Sequence, residues 1–417
     1  MHATGAHTAA APKAKSTSKS LFFLGLVATS IPIMCLAIPM YVIRPFRSQD
    51  PSQLALALTV RDLAPWISAI CAIVILLILF RVWERSGAFQ RIVLTLCAAI
   101  ALSGAVATHI NIFEIMFHPY KNPAFAGVTS VKVDPDDKVL AVQIGGIAHA
   151  YPIRAMGYHH IVNDVIGGQP IAATYCTLCH TGLIWSRILD GQTLKFRLAG
   201  INNGNALMRD EQTRSIWQQS TGQAIYGPLK SKQLTLVHSD ELTFGLWSKE
   251  YPAGLVLLPD ADYAKEYEDK DWEQHVLNTR TGVDTSNSGI APHELMLGIT
   301  MNGSSKAYPI KTILAAKVIE DIWEAVPTLI LVGPDQASIR TFRSDLPTQR
   351  LTFIQPQLAT AEKNAIAQDQ ETQSLWDFRG CAIQGKLSGQ CLKPLDSNKD
   401  YWFDWLNHHP KTTVFKN

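Results

Sequence analysis

Ala150-Tyr151-Pro152-Ile153 returns as Ala307-Tyr308-Pro309-Ile310, with 157 positions between Tyr151 and Tyr308. That return decides the architecture. Working outward from it, Asp164 matches Asp321 and Pro170 matches Pro327, while Leu194-Lys195-Phe196 resembles Leu351-Thr352-Phe353. Thr213-x-Ser215-Ile216-Trp217 recurs as Thr372-x-Ser374-Leu375-Trp376, and Gly222-x-Ala224-Ile225-x-Gly227 as Gly380-x-Ala382-Ile383-x-Gly385. Trp247 and Pro252 find counterparts in Trp405 and Pro410. The matches keep their order and drift by only one or two residues. A period this long reads as two like domains rather than a solenoid of short units. The first copy is expected over residues 139–258 and the second over 295–417, related by a pseudo-twofold.

Within a copy the strand signals dominate. Val139 to Ile144 reads as a strand, Gly145-Gly146 as the turn into Ala148 to Ile153, and Arg154 to Val162 as a short helix. Gly167-Gly168 marks another turn. Ile171 to Tyr175, Leu183 to Ile188 and Leu194 to Leu198 read as further strands, Asp190-Gly191 as a hairpin turn, and a helix containing Trp247 closes the copy. The expected fold class is α+β and β-rich, with two duplicated, mainly antiparallel β domains.

Ahead of the repeat lie three long apolar stretches, Leu21 to Ile43, Leu63 to Phe80 and Ile92 to Phe113, each close to the roughly 20 residues that cross a bilayer. They predict a three-helix transmembrane region over 21–113. Lys13, Lys15 and Lys19 precede the first span, and Arg81, Arg85 and Arg91 crowd the second connection. Positive charge favours the cytoplasmic side, which places everything after His118 outside the cytoplasm of a bacterial inner membrane, even if the first span were a cleaved signal peptide. Residues 1–20, rich in Ala, Ser, Thr and Lys, read as a disordered cytoplasmic tail. Residues 114–138 read as a polar connector and 259–294 as a charged, solvated one. Cys35, Cys71 and Cys97 lie in the spans and read as small apolar fillers. A net charge of +2 without a Lys/Arg tract gives no electrostatic footprint for nucleic acid. The lipid bilayer is the expected partner, with a redox partner left unspecified.

Chemistry concentrates at Cys176-Thr177-Leu178-Cys179-His180. Across the duplication His159 becomes Ala316, His160 becomes Lys317, Cys176 becomes Gly333, Cys179 becomes Gln336, His180 becomes Ala337 and Met208 becomes Ala367. What the second copy loses is His, Cys and Met, side chains suited to soft metals or to redox work. Cys176 and Cys179 are the candidate catalytic dithiol. With His159, His160, His180 and Met208 they form the candidate metal set, for which copper is the first choice. Any one of these residues alone reads more simply: a satisfied core His, a packed Met, an inert disulfide. Cys381 and Cys391 exist only in the second copy, at positions matching Gln223 and Gln233, and are expected to form a structural bridge outside the cytoplasm.

Tyr158-His159-His160-Ile161-Val162-Asn163-Asp164-x-x-Gly167-Gly168, Thr174-Tyr175-Cys176-x-Leu178-Cys179, Asp210-x-x-Thr213-x-Ser215-x-Trp217-x-Gln219 and Gly227-Pro228-Leu229 resemble the bacterial family known as domain of unknown function 3179. The resemblance covers most of Val139 to Phe415. In that family the first motif usually reads His-Glu-Ile-Val-Asn-Asp and the second Cys-Pro-Leu-Cys, so His159 matches the family His, His160 stands for its Glu and Thr177 for its Pro. Some members are described as selenoproteins, and the resemblance therefore implies redox chemistry at a chalcogen in the Cys-x-x-Cys motif.

Three functions follow. The first is thiol oxidoreduction or copper handling at a membrane-anchored Cys-x-x-Cys-His site. The second is electron transfer by a haem c attached at Cys176 and Cys179, with His180 as axial ligand. The third is a non-catalytic extracytoplasmic binding module. No Ser/His/Asp order, phosphate loop or paired-carboxylate motif offers another enzyme class.

Overall fold

The structure, a computed structural model, describes residues 14–356 and 364–416, the first five of these as backbone only. The chain divides into two compact units, residues 1–44 with 49–112 and residues 45–48 with 113–417.

The first unit contains three helices, Ala14–Val42, Pro51–Val82 and Ala88–Ala107. All three are long and apolar enough to cross a membrane. The second exceeds its apolar run because Asp50 caps it, accepting a hydrogen bond from Ser52 N at 2.8 Å, and Pro51 suits the first turn. The third ends earlier than its apolar run predicts, at Ala107, and Ile112–Met116 is a separate short helix. The first begins at Ala14, inside the stretch expected to be a disordered tail, while the rest of that tail lies outside the described residues. Small residues, among them Ala28, Ala72, Cys97, Ala98 and Ala101, form the seam where the helices meet. Phe23, Leu77 and Phe80 stay exposed, as lipid-facing side chains would.

In the second unit the duplication recurs strand for strand. Lys138–Ile144, Ile147–Pro152, the helix Ile153–His159, Ile161–Ile166 and Gln169–Cys176 are repeated as Leu295–Met301, Ser304–Pro309, the helix Ile310–Ala316, Val318–Trp323 and Val326–Val332. The helices Phe244–Glu250 and Trp402–His408 close the two copies. In each copy the first hairpin gains a parallel strand, Leu255–Leu257 or Thr413–Val414. The remaining strand pairs are antiparallel. The helix after Tyr-Pro-Ile stops sooner than expected because His160 has φ +61 and the β-branched Ile161 and Val162 start a strand; Lys317 repeats this with φ +66.

The D-x-x-T-x-S-x-W motif shows why these residues were kept twice. Trp217 Nε1 donates to Asp210 Oδ2 at 2.9 Å, as Trp376 Nε1 does to Asp369 Oδ2 at 2.9 Å. Thr213 and Thr372 donate to the same carboxylates, and Ser215 and Ser374 accept from Leu229 N and Leu387 N. A buried carboxylate thereby ties a tryptophan to a turn in both copies.

The copies do not stand apart as separate domains. They dock reciprocally through the corners where the strands Asp240–Thr243 and Ser397–Tyr401 enter their closing helices. Tyr401 N donates to Cys179 O at 2.9 Å, and its counterpart Thr243 N donates to Ser338 Oγ at 3.1 Å. Glu241 and Lys399 occupy equivalent positions and pair with each other at 3.0 Å. Self-complementary contact of this kind is the mark of an approximate twofold. Both connectors are more than solvated spacers. Phe125–Gly127 becomes an edge strand on Leu255–Leu257, and the charged stretch holds a short helix, Trp272–Leu277, with Trp272 buried. The expected Cys381–Cys391 bridge is present, with Cα atoms 4.0 Å apart.

Candidate functional site

Cys176 ends the strand Gln169–Cys176, and Cys179 sits in the four-residue connection to Thr181–Ser186. The turn is closed by His180 N donating to Thr177 O at 3.3 Å, with His180 at φ +59. Both thiols are free and buried, with Cys176 1% and Cys179 0% exposed. Cys176 Sγ donates to Gly204 O at 3.6 Å, and Cys179 Sγ to Cys176 O at 3.7 Å.

Both thiols belong to the hydrophobic core of the first copy, beside Tyr175, Met208 and Phe403, and a few polar groups reach into it. Asn205, the first residue of the strand Asn205–Asp210, directs its amide Nδ2 at Cys179 Sγ (3.1 Å), Gln219 Oε1 (2.9 Å) and Asp404 Oδ2 (2.9 Å). Its orientation is fixed because Oδ1 accepts from Gln218 Nε2 at 2.6 Å and Ser220 N at 3.1 Å. Gln219 is locked in turn, its Nε2 donating to Thr174 Oγ1 and Thr181 O at 3.0 Å each. An amide NH₂ has two hydrogens for these three acceptors, so one of them needs another donor.

The second copy supplies the acids. Thr181 Oγ1 lies 2.9 Å from Asp400 Oδ1 and 3.1 Å from Asp404 Oδ2. Asp404 is fully buried, and its Oδ1 accepts no hydrogen bond, although His408 Nε2 stands 3.4 Å away. Burial and then the neighbouring Asp404 push the Asp400 carboxyl well above the usual carboxylate range. Burial, then Cys176, then the two carboxylates push the Cys179 thiol up in the same way. Two thiols and two carboxyl groups thus meet, with His408 Nε2 3.4 Å from Asp404 Oδ1.

The equivalent place in the second copy has been filled. Gly333 replaces Cys176, Phe378 replaces Gln219, and the positions of Asp400 and Asp404 are Leu242 and Leu246 in the first copy. A Cβ on Gly333 would lie 2.8 Å from Asp335 Oδ1 and 3.2 Å from Leu246 Cδ2. One thiol, one amide and both acids thus have Gly, Phe and Leu at the matching positions, and Gln336 stands for Cys179.

The histidines and Met208 have other partners. His159 Nδ1 donates to His118 O, and its Nε2 accepts from Tyr267 OH at 3.1 Å. The ring packs 3.9 Å from that of Tyr120, and burial holds its pKa down. His160 Nδ1 donates to Tyr158 O at 3.1 Å, its ring leans on Phe117, and burial lowers its pKa to about 4. His180, fully buried among Tyr175, Trp272 and Tyr401, bonds through Nε2 to Glu241 Oε1 at 3.2 Å. Burial alone would raise the Glu241 carboxyl, but Lys399 and His180 outweigh it and hold it well below the usual range. Met208 is core, its strand paired with those of Leu198 and Trp217. Among the described residues no group of three or more His, Cys, Asp or Glu side chains is arranged to hold a metal ion. The Cys-Cys-His ligand set expected from the sequence is therefore not assembled. His180, clasped by Glu241 and three aromatic rings, presents no free face for a haem.

Asn205, Thr181, Asp400 and Asp404 escaped the sequence reading, and Gln219 entered it only as part of the family motif. The two acids carried a signal, since they replace leucines across the duplication, but it is a gain in the second copy rather than a loss. The charged connector also reaches the site: Thr177 Oγ1 donates to Glu268 Oε1 at 3.0 Å, and Trp272 packs on His180.

No curated protein and no solved structure matches the chain. A family described as a protein of unknown function, DUF3179, matches residues 116–412, a range that runs through both copies and includes the dithiol and both acids. The duplicated pair is thus the unit of the family, and this chain belongs to DUF3179.

Proposed function

We propose that residues 113–417 form a redox unit in which Cys176 and Cys179 cycle between dithiol and disulfide, with Asp400 and Asp404 exchanging the protons. The observation that carries this reading is the hydrogen-bonded carboxyl pair beside two free thiols in one Cys-x-x-Cys loop. Closing a disulfide removes two protons and two electrons. In a buried site those protons need an acceptor, and a carboxyl–carboxylate pair is both acceptor and donor. Asn205 supports a developing thiolate on Cys179 by directing an N–H at the sulfur. Glu241, Lys399 and His180 brace the far side of the turn.

Attachment to a bacterial cytoplasmic membrane, with this unit outside, is part of the proposal. It rests on the three apolar helices and on Arg81, Arg85 and Arg91 between the second and third. A reporter fused after Asn417 is active in the exterior format; cytoplasmic activity refutes the orientation.

The test of the redox reading uses the purified full chain. After mild oxidation, differential alkylation and peptide mass spectrometry find a Cys176–Cys179 bond that a thiol reductant reverses. Failure to form the bond refutes the reading. Stoichiometric copper that blocks both thiols would replace it by a Cu(I) dithiolate, and a Soret band by a haem.

A further inference from the structure

The dithiol lies under a closed shell. Cys176, Cys179, Asn205, Thr181, Asp404 and Asp400 are each 2% exposed or less. A disulfide substrate must bring its S–S bond into line with the attacking sulfur and find room for a departing thiol. A hydroperoxide brings two oxygen atoms.

The protons point the same way. A thiol leaves readily as an anion, since its ordinary pKa is about 8.5. Hydroxide does not, because water ionises only near 15.7, and an acid must protonate the departing oxygen. Asp400 is such an acid, a carboxyl whose proton is retained by burial and by Asp404. A departing thiolate needs that proton less than a departing hydroxide does.

We infer that the oxidant of this dithiol is a small hydroperoxide, with hydrogen peroxide the smallest case, and that Asp400 protonates the departing oxygen. The inference rests on the dithiol reading above. In the first step one thiol gives its proton to the Asp404 carboxylate and its sulfur attacks an oxygen of the peroxide. The O–O bond breaks, the departing oxygen takes the Asp400 proton, and water or an alcohol leaves. The pair still holds one proton. The sulfur is oxidised to a sulfenic acid and the peroxide is reduced. In the second step the other thiol gives its proton to the pair, and its sulfur attacks the sulfenic sulfur. The S–O bond breaks, hydroxide leaves as water with a proton from the pair, and the disulfide is closed. Over both steps two thiols and one hydroperoxide become a disulfide, water and an alcohol or second water.

The test is a single turnover of the reduced full chain, freed of reductant. Hydrogen peroxide, cumene hydroperoxide and glutathione disulfide are compared at equal concentration, and Cys176–Cys179 bonding is read by quench and mass spectrometry. Hydrogen peroxide should close the bond about tenfold faster than cumene hydroperoxide and about a hundredfold faster than glutathione disulfide. Asp400→Asn should slow the peroxide reaction about a hundredfold, the size of a general-acid contribution. Alkylation by iodoacetamide, whose leaving iodide needs no proton, should change by less than about threefold. Cys176→Ser and Cys179→Ser give a check that does not depend on Asp400: with one thiol gone, peroxide should leave a dimedone-trappable sulfenic acid on the other in at least one of them. Faster closure by glutathione disulfide overturns the inference and leaves the dithiol reading standing. So does an equal loss of peroxide and alkylation rates in Asp400→Asn, or the absence of any trapped sulfenic acid. Closure by none of the three oxidants overturns both.

Discussion

Replacing Asp404 by Leu, the residue at the equivalent position of the first copy, should remove the chemistry and leave the fold intact. The carboxylate accepts from Asn205 Nδ2 at 2.9 Å and Thr181 Oγ1 at 3.1 Å. Neither donor is stranded by its loss, because Asn205 keeps Gln219 at 2.9 Å and Cys179 at 3.1 Å, and Thr181 keeps Asp400 at 2.9 Å. With the bond to Asp400 counted, the cost is then three hydrogen bonds at about 1 kcal/mol each. Against it stands relief of a buried acid whose Oδ1 accepts no hydrogen bond, a change that is often neutral or stabilising by about 1–4 kcal/mol. The net effect should lie within about 3 kcal/mol of zero, or about 5 °C in midpoint for a unit of this size. Removing a nearby negative charge should also bring the Cys179 thiol down toward its ordinary range. The assay pairs thermal unfolding of the full chain in detergent, followed by near-ultraviolet circular dichroism, with single-turnover dithiol oxidation. Oxidation should fall about a hundredfold while the midpoint holds. A loss of more than about 4 kcal/mol would refute the reasoning, since that is the cost of breaking a structural buried network.

Asp210→Asn and Asp369→Asn should destabilise alike, by about 3 kcal/mol each, because each carboxylate holds a matching Trp, Thr and turn; denaturant midpoints that differ widely between the two would contradict the equivalence of the copies. Burial holds His160 and His409 down at about 4, whereas the unfolded chain takes up a proton near 6.5. The fold should therefore lose stability as pH falls from about 6.5 toward 4, and His160→Gln with His409→Gln should flatten that loss in midpoints measured across pH. Asp400 acts at the other end: its raised carboxyl costs stability as pH climbs above the ordinary carboxylate range, and Asp400→Asn should remove that slope. Gly333→Cys with Gln336→Cys should destabilise by about 1–3 kcal/mol without giving a second reactive pair, since a Cβ at 333 meets Asp335 and Leu246; a reversible 333–336 disulfide found by mass spectrometry would contradict this.

The duplication was legible because its repeated residues do backbone work. Tyr151 and Tyr308 both donate to an aspartate, Asp164 and Asp321, and the Asp-Thr-Ser-Trp turns repeat their Trp and Thr bonds to the carboxylate. The spans were legible from length and apolarity, though not their ends, which caps and breaks decide. Half of the site was legible as a Cys-x-x-Cys loop. The other half was hidden because it arrives from the second copy, through a docking corner that no local pattern announces. The histidines misled for a related reason. His159 spends its ring on Tyr267 and Tyr120, both in the connectors. The charged connector misled because Tyr263, Tyr267 and Trp272 anchor a run that reads as solvated by charge alone.

On the proposed cycle, closing the Cys176–Cys179 bond releases two protons along with two electrons. The pH dependence of the dithiol–disulfide midpoint potential tests it most directly. Equilibrating the full chain in thiol redox buffers and counting the alkylated pair gives that potential at each pH. Two protons per two electrons predict a fall of about 59 mV per pH unit across the neutral range. A slope near zero would mean thiolates already stripped of their protons, and the absence of any two-electron transition would mean a structural pair; either result contradicts the account.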